Sequence, residues 1–246
     1  WHQQLPAWLE GAELTRDEAI AILRDHITTV VGRYRGRVAQ WDVVNEALPD
    51  AGAGLRDTPW LRWIGPDYLD LAFQFAHEAD PDALLFYNDY DPANTGEKSD
   101  RILGLVAAMQ ARGVPIHGVG MQFHVFVPVD RAAVDAQIQR VRDLGLRYAM
   151  TEVDVALPLP VTDALLHQQS VQMGTLLAAC VADPATCTTF VLWGFTDRHS
   201  WIPSFLPGFG AATPLDEELR PKAAWQALRH ALDPNEPAPV PPLDAV

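Results

Sequence analysis

Apolar and polar positions follow two rhythms along the chain. From Thr15 onward, stretches whose apolar residues return every three or four positions alternate with short runs dense in Val, Leu, Phe, Tyr and Met. The first rhythm predicts helices over residues 16–31, 66–79, 97–112, 131–142, 163–181 and 221–232. Helix-start residues stand before several of them: Thr15 ahead of Arg16-Asp17-Glu18, Asp130 ahead of Arg131, and Thr162 ahead of Asp163. Pro221 is expected in the first turn of the last helix, where its missing N–H costs nothing. The second rhythm predicts strands over 38–45, 84–88, 118–123, 148–153 and 189–194, and such unbroken apolar runs suit strands buried on both faces. A helix followed by five strand–helix units predicts an α/β fold with a parallel sheet. Residues 51–63 and 196–218 read as long loops after strands. Residues 233–246, with five Pro, read as a linker or tail beyond a folded region of 1–232.

The polar residues that interrupt this pattern gather at the ends of the strands. Asn45-Glu46, Asn88-Asp89-Tyr90, Gln122-Phe123-His124, Thr151-Glu152-Val153-Asp154 and Trp193 each follow an apolar run, and Trp201 lies eight residues after Trp193. In a parallel barrel these ends share one face, where catalytic groups sit. Glu46 and Glu152 have no Lys or Arg within three positions, so neither has a ready partner in sequence. A pair of carboxylates across a sugar site is the machinery of glycoside hydrolysis, one protonating the leaving oxygen and the other attacking the anomeric carbon or activating water. The alternative role of such a residue is a helix cap or an ion-pair partner. No Gly-x-Ser-x-Gly elbow, P-loop, paired Cys-x-x-Cys or His-Glu-x-x-His occurs, and neither a metal nor a cofactor is expected.

Composition narrows the classes further. The formal charge of −14, from 18 basic and 32 acidic residues, is the wrong sign for a nucleic-acid partner. No apolar run approaches the roughly 18 residues that a membrane span needs, so no membrane association is expected. Eight Trp exceed what a core of this size requires, and with the acidic surface they suit a neutral, flat-faced ligand such as a sugar. Cys180 and Cys187 either pair across a short loop or sit as two free core thiols, and pairing would favour an oxidising compartment. The chain begins at Trp1 with neither Met nor a charged leader, as after removal of a signal or as a piece of a longer chain.

Taken together, Trp41-Asp42-Val43-Val44-Asn45-Glu46, Tyr87-Asn88-Asp89-Tyr90, Gly118-Val119-Gly120-Met121-Gln122-x-His124, Thr151-Glu152-Val153-Asp154 and Val191-Leu192-Trp193-Gly194, with Asp197 and Ser200-Trp201, resemble glycoside hydrolase family 10. The members of that family are endo-β-1,4-xylanases on a (β/α)8 barrel. The opening Trp1-His2-Gln3-Gln4-Leu5-Pro6-Ala7-Trp8 resembles the end of the family's third strand. The resemblance implies that Glu46 is the general acid/base and Glu152 the nucleophile. It implies that His124 bonds Glu152, that Asp154 orients His124, and that Gln122 bonds near the acid/base. Asn45, Asn88 and His2 would bind sugar, Tyr90 would line the leaving-group side, and Trp8, Trp193 and Trp201 would wall the sugar at the cleavage point. Crowding by Trp would disfavour a hydroxymethyl group and so prefer xylose to glucose.

The family pattern also implies a barrel lacking here its first two strands and most of the third, with part of the glycone-binding group. Five strands and a stub do not close an eight-stranded barrel, so strands 38–45 and 189–194 are each expected to lack a neighbour. Gln3 and Phe123 stand where Ser is usual, and Asp91 where Asn is common. A retaining endo-β-1,4-xylanase module is therefore expected, with xylan or xylo-oligosaccharide as partner, in a secreted protein whose tail leads to a carbohydrate-binding module or simply ends. The alternatives are a β-1,4-glucanase or aryl-cellobiosidase on the same barrel, or a non-catalytic sugar-binding remnant.

Overall fold

The computed structural model describes residues 1–90 and 96–239, so Asp91 and the last part of the Pro-rich tail lie outside the described residues. The chain divides into two compact units, one of Trp1–Gly120 with Ala136–Arg147, the other of Met121–Asp135 with the chain from Tyr148 onward.

The first unit opens with α1 (Arg16–Arg33), capped as its sequence predicts: the Thr15 side chain accepts from Glu18 N–H, and the Glu18 carboxylate accepts from Thr15 N–H at 2.9 Å. Ala19, Leu23, Ile27 and Val31, four apart, form its buried stripe. It is followed by β1 (Gln40–Asn45), α2 (Pro59–Ile64), α3 (Tyr68–Ala79), β2 (Leu84–Asp89), α4 (Glu97–Ala111) and β3 (Gly118–Met121). The strand order is β1-β2-β3. β1 and β2 are parallel, Gln40 opposite Leu84 and Asn45 opposite Asn88, with a register shift between Asp42 and Val44. α1 packs against α3, whose buried face is Tyr68, Leu69, Ala72, Phe73, Phe75 and Ala76. β1 begins two residues later than expected because Arg37 and Val38 still donate to Tyr34 C=O in a turn. The expected loop 51–63 in fact holds the start of α2, which Pro59 opens and the Thr58 hydroxyl caps.

The second unit is built on one long strand. β4 (His124–Phe126) and α5 (Arg131–Asp143), which also runs into the first unit, precede β5 (Arg147–Pro158); then come α6 (Asp163–Val181), β6 (Cys187–Leu192), α7 (Ile202–Phe205), β7 (Phe209–Gly210) and α8 (Ala223–Leu232). β5 pairs in parallel with β4 and β6 and antiparallel with β7, which carries it five residues beyond its expected end. The expected strand 118–123 stops at Met121, because Phe123 takes a left-handed φ of 60° and turns the chain, and β4 starts just beyond it at His124. The last helix begins at Ala223, so Pro221 lies outside it: Lys222 is held extended by its N–H on Pro214 C=O and its ammonium on Asp197 and Ala211 C=O. The expected loop 196–218 carries a 3-10 turn, α7 and β7. Cys180 and Cys187 are bonded, tying the end of α6 to the start of β6. Among the described residues the strand partner of β1 is β2 and that of β6 is β5, one each, as the five-strand count implies. No described helix is long and apolar enough to cross a membrane.

Candidate active site

In the first unit the register of β1 and β2 sets their polar ends side by side. Asn88 donates from Nδ2 to Asn45 Oδ1 at 2.9 Å, and Glu46 N–H donates to Asn88 C=O at 2.9 Å. The irregularity between Asp42 and Val44 re-aims this end of β1, a common use of a bulge beside a site. Glu46 then leaves strand geometry with a left-handed φ of 55°. For a residue with a Cβ that costs about 1–2 kcal/mol, and it persists where neighbouring groups over-determine it. Here Arg56 Nε donates to Glu46 C=O at 3.0 Å, and the next N–H, of Ala47, donates to the Tyr87 hydroxyl at 3.0 Å. The Glu46 carboxylate accepts from Trp1 Nε1 at 3.0 Å and, more weakly, from Asn45 Nδ2 at 3.4 Å.

Beneath this lies a buried polar group. Tyr87 donates to Asp89 Oδ2 at 2.5 Å, and the Lys98 ammonium pairs with Asp89 Oδ1 at 3.0 Å. Burial pushes Asp89 up to about 6, against the downward pull of the Tyr87 hydroxyl and the Lys98 charge. Burial likewise drives the Tyr87 hydroxyl well above its usual range, and the adjoining Asp89 charge adds to the rise. Tyr90 accepts from Arg56 Nη2 at 2.8 Å, donates to Asp50, and lies with its ring under the Lys98 ammonium. His2 faces the same end: burial, then the Arg56 charge, keeps its imidazole below the usual value. Its Nδ1 is buried with no hydrogen-bond partner among the described residues. A cavity of about 50 Å³ beside it is lined by Trp1, Val43, Asn45 and Trp60. Trp8 is 66% exposed on a turn.

In the second unit the pairing of β4 with β5 puts His124 opposite Asp154. The imidazole bridges two carboxylates, Nδ1 lying 2.9 Å from Asp154 Oδ2 and Nε2 3.1 Å from Glu152 Oε2. Burial alone would lower its pKa, but the bonds and charges of Asp154 and Glu152 outweigh it and raise it to about 9. As an imidazolium, His124 donates to both carboxylates at neutral pH. Asp154 is fully buried and accepts a further bond from Trp201 Nε1 at 2.8 Å, which fixes the aspartate and the indole together. Trp201 stands edge-on to the His124 ring at 4.9 Å, and Trp193 at 6.4 Å. Gln122 is buried, and its C=O accepts from Glu152 N–H at 3.0 Å.

The structure therefore assembles the expected residues in two sets. Asn45, Glu46, Asn88, Tyr90 and His2 lie in the first unit, and Gln122, His124, Glu152, Asp154, Trp193 and Trp201 in the second. Sequence reasoning quoted Trp1, Tyr87 and Asp89 within its motifs but gave them no role, and it missed Arg56 and Lys98. Arg56 is ten residues from Glu46, where only its being the first cation after β1 could have drawn notice. A charged imidazole holding one carboxylate beside indole faces, and a second carboxylate fixed at a strained strand end, are equipment for acid–base and nucleophilic attack on a glycosidic bond.

The family model for glycosyl hydrolase family 10 matches residues 1–231. An endo-1,4-beta-xylanase B of Thermotoga neapolitana is 39% identical over 235 residues, spanning 95% of this chain and 67% of that protein. An endo-1,4-beta-xylanase of Agaricus bisporus is 36% identical, over 93% of this chain and 68% of that protein. The solved structure of xylanase 10B from Thermotoga petrophila RKU-1 in complex with xylobiose superposes with a TM-score of 0.87 at 39% identity, covering 95% of this chain and 72% of that one. The fold and site define a glycoside hydrolase of the (β/α)8-barrel class. The chain belongs to glycosyl hydrolase family 10 and spans about seven-tenths of the length of these relatives.

Proposed function

We propose that this chain carries the retaining endo-hydrolysis of β-1,4-xylosidic bonds in xylan. The observation that carries the reading is His124, locked between Glu152 and Asp154 with Trp201 closing the far side of Asp154. In the first step Glu152 attacks the anomeric carbon while Glu46 gives its proton to the departing glycosidic oxygen. The sugar is then held as an ester on Glu152. In the second step Glu46, now a carboxylate, takes a proton from water, whose oxygen displaces Glu152 and restores the β configuration. Asn45, His2 and Asn88 bind sugar hydroxyls, Gln122 and Tyr90 line the acid/base side, and Trp8, Trp193 and Trp201 wall the pyranose. Residues 1–232 form the catalytic region. The Cys180–Cys187 bridge and a polymeric substrate support a secreted protein, and the Pro-rich tail suits a connector to a carbohydrate-binding module.

The test is release of reducing ends from soluble xylan by the 246-residue chain beside its Glu152→Gln variant. Xylan cleavage that the variant loses by a factor of about 10⁴ or more is expected. A variant as active as the parent would remove Glu152 from the mechanism, and binding of xylo-oligosaccharide without cleavage by the parent would make the chain a sugar-binding remnant.

A further inference from the structure

We propose that Arg56 is a positioning residue for Glu46, setting the angle at which the acid/base meets the glycosidic oxygen. The inference rests on the reading of Glu46 given above. Arg56 grips the chain immediately after β1 at three consecutive residues: its Nε donates to Glu46 C=O at 3.0 Å, its Nη2 to Leu48 C=O at 2.9 Å, and its own N–H to Ala47 C=O at 2.7 Å. The same Nη2 donates to Tyr90 at 2.8 Å, linking this clamp to the end of β2. Among the described residues the carboxylate paired with it, Asp50, is 3.8 Å away on a side chain 75% exposed, so ion pairing does not explain its place. What the fork does hold is the peptide on the far side of Glu46, the residue with φ 55°. Glu46 N–H is meanwhile fixed by Asn88 C=O and Ala47 N–H by the Tyr87 hydroxyl. Were the fork removed, residue 46 could relax towards an ordinary strand conformation and turn its carboxylate away. A lysine has no planar fork and would reach one carbonyl rather than two.

A merely structural role and a positioning role differ in which substrates suffer. A dinitrophenyl leaving group departs without protonation, whereas a phenyl group or a second xylose needs the acid. For Arg56→Gln, kcat/KM on phenyl β-xylobioside is expected to fall about 10–100-fold while the 2,4-dinitrophenyl analogue changes less than about 3-fold. Arg56→Lys should show the same asymmetry at a smaller factor. An equal loss on both substrates, or no loss on either, would overturn the proposal. Glu46→Ala is run in parallel: if that variant itself shows no asymmetry, the assignment of Glu46 as the acid falls, and the clamp is judged on the second readout. That readout is amide hydrogen exchange at Glu46 and Ala47, which needs no turnover. In Arg56→Gln both amides are expected to exchange at least about 10-fold faster while those of α1 keep their rates; unchanged exchange at both would refute the clamp.

Discussion

His124 shows how a single residue ties stability to chemistry. Its pKa is about 9 in the folded chain, against an ordinary value near 6.5, because two carboxylates outweigh its burial. The fold thus binds the imidazole proton more tightly than the unfolded chain does. Its contribution is therefore fully present below about pH 6.5 and is lost as pH rises through about 9. The size is a few kcal/mol, on the order of 1.4 kcal/mol for each pH unit of displacement. Urea denaturation of the parent and His124→Gln between pH 6 and 10 should show their stabilities converging towards alkaline pH, and parallel profiles would contradict an imidazolium. This cluster was legible in the sequence through the family resemblance that Gln122-x-His124 and Thr151-Glu152-Val153-Asp154 carry, which implied both of the His124 bonds. Arg56 was not, because its targets are backbone carbonyls, and a carbonyl leaves no trace in residue type.

Elements were legible where one local pattern decides them. α6 runs over Asp163–Val181 as expected, since Thr162 caps it and its buried residues Gln169, Ser170, Met173, Leu176, Leu177 and Cys180 return every three or four positions. Strand ends decided by distant partners were not: β5 continues to Pro158 because β4 and β7 pair with it there, and β3 stops at Met121 because Phe123 turns. Gly118, the first residue of β3, shows how tight the sheet is. A Cβ there would lie 2.3 Å from a Phe86 ring carbon and 2.7 Å from Arg147 C=O. Phe86 is fully buried and the second obstacle is backbone, so neither gives way cheaply. Gly118→Ala should therefore lose about 2–3 kcal/mol or fold poorly, read as a lower denaturation midpoint beside Gly104→Ala, whose added carbon meets nothing within 4 Å. Equal midpoints in the two variants would mean that β2 and β3 lie further apart.

At the scale of the whole chain the question is whether local cations or net charge govern the approach of substrate. The total is −14, yet Arg56 and Lys98 stand beside the candidate acid, and a bare pair of cations there would attract an acidic polymer. Both have carboxylates beside them. Arg56 lies 3.8 Å from Asp50, and Lys98, 4% exposed, is paired with Asp89 and Asp50, so their charges are largely offset locally. The long-range field is therefore that of the acidic surface. Its reach falls from about 30 Å at 10 mM salt to about 8 Å at 150 mM. On a xylan bearing uronic acid groups, kcat/KM should rise about 2–5-fold over that range, whereas a neutral arabinoxylan should show little change. Initial rates on the two polymers at matched chain length separate the cases. A fall with salt on the acidic polymer would mean that a cation near Glu46 is less offset than these pairs indicate, and Arg56→Gln would then identify it by abolishing the fall.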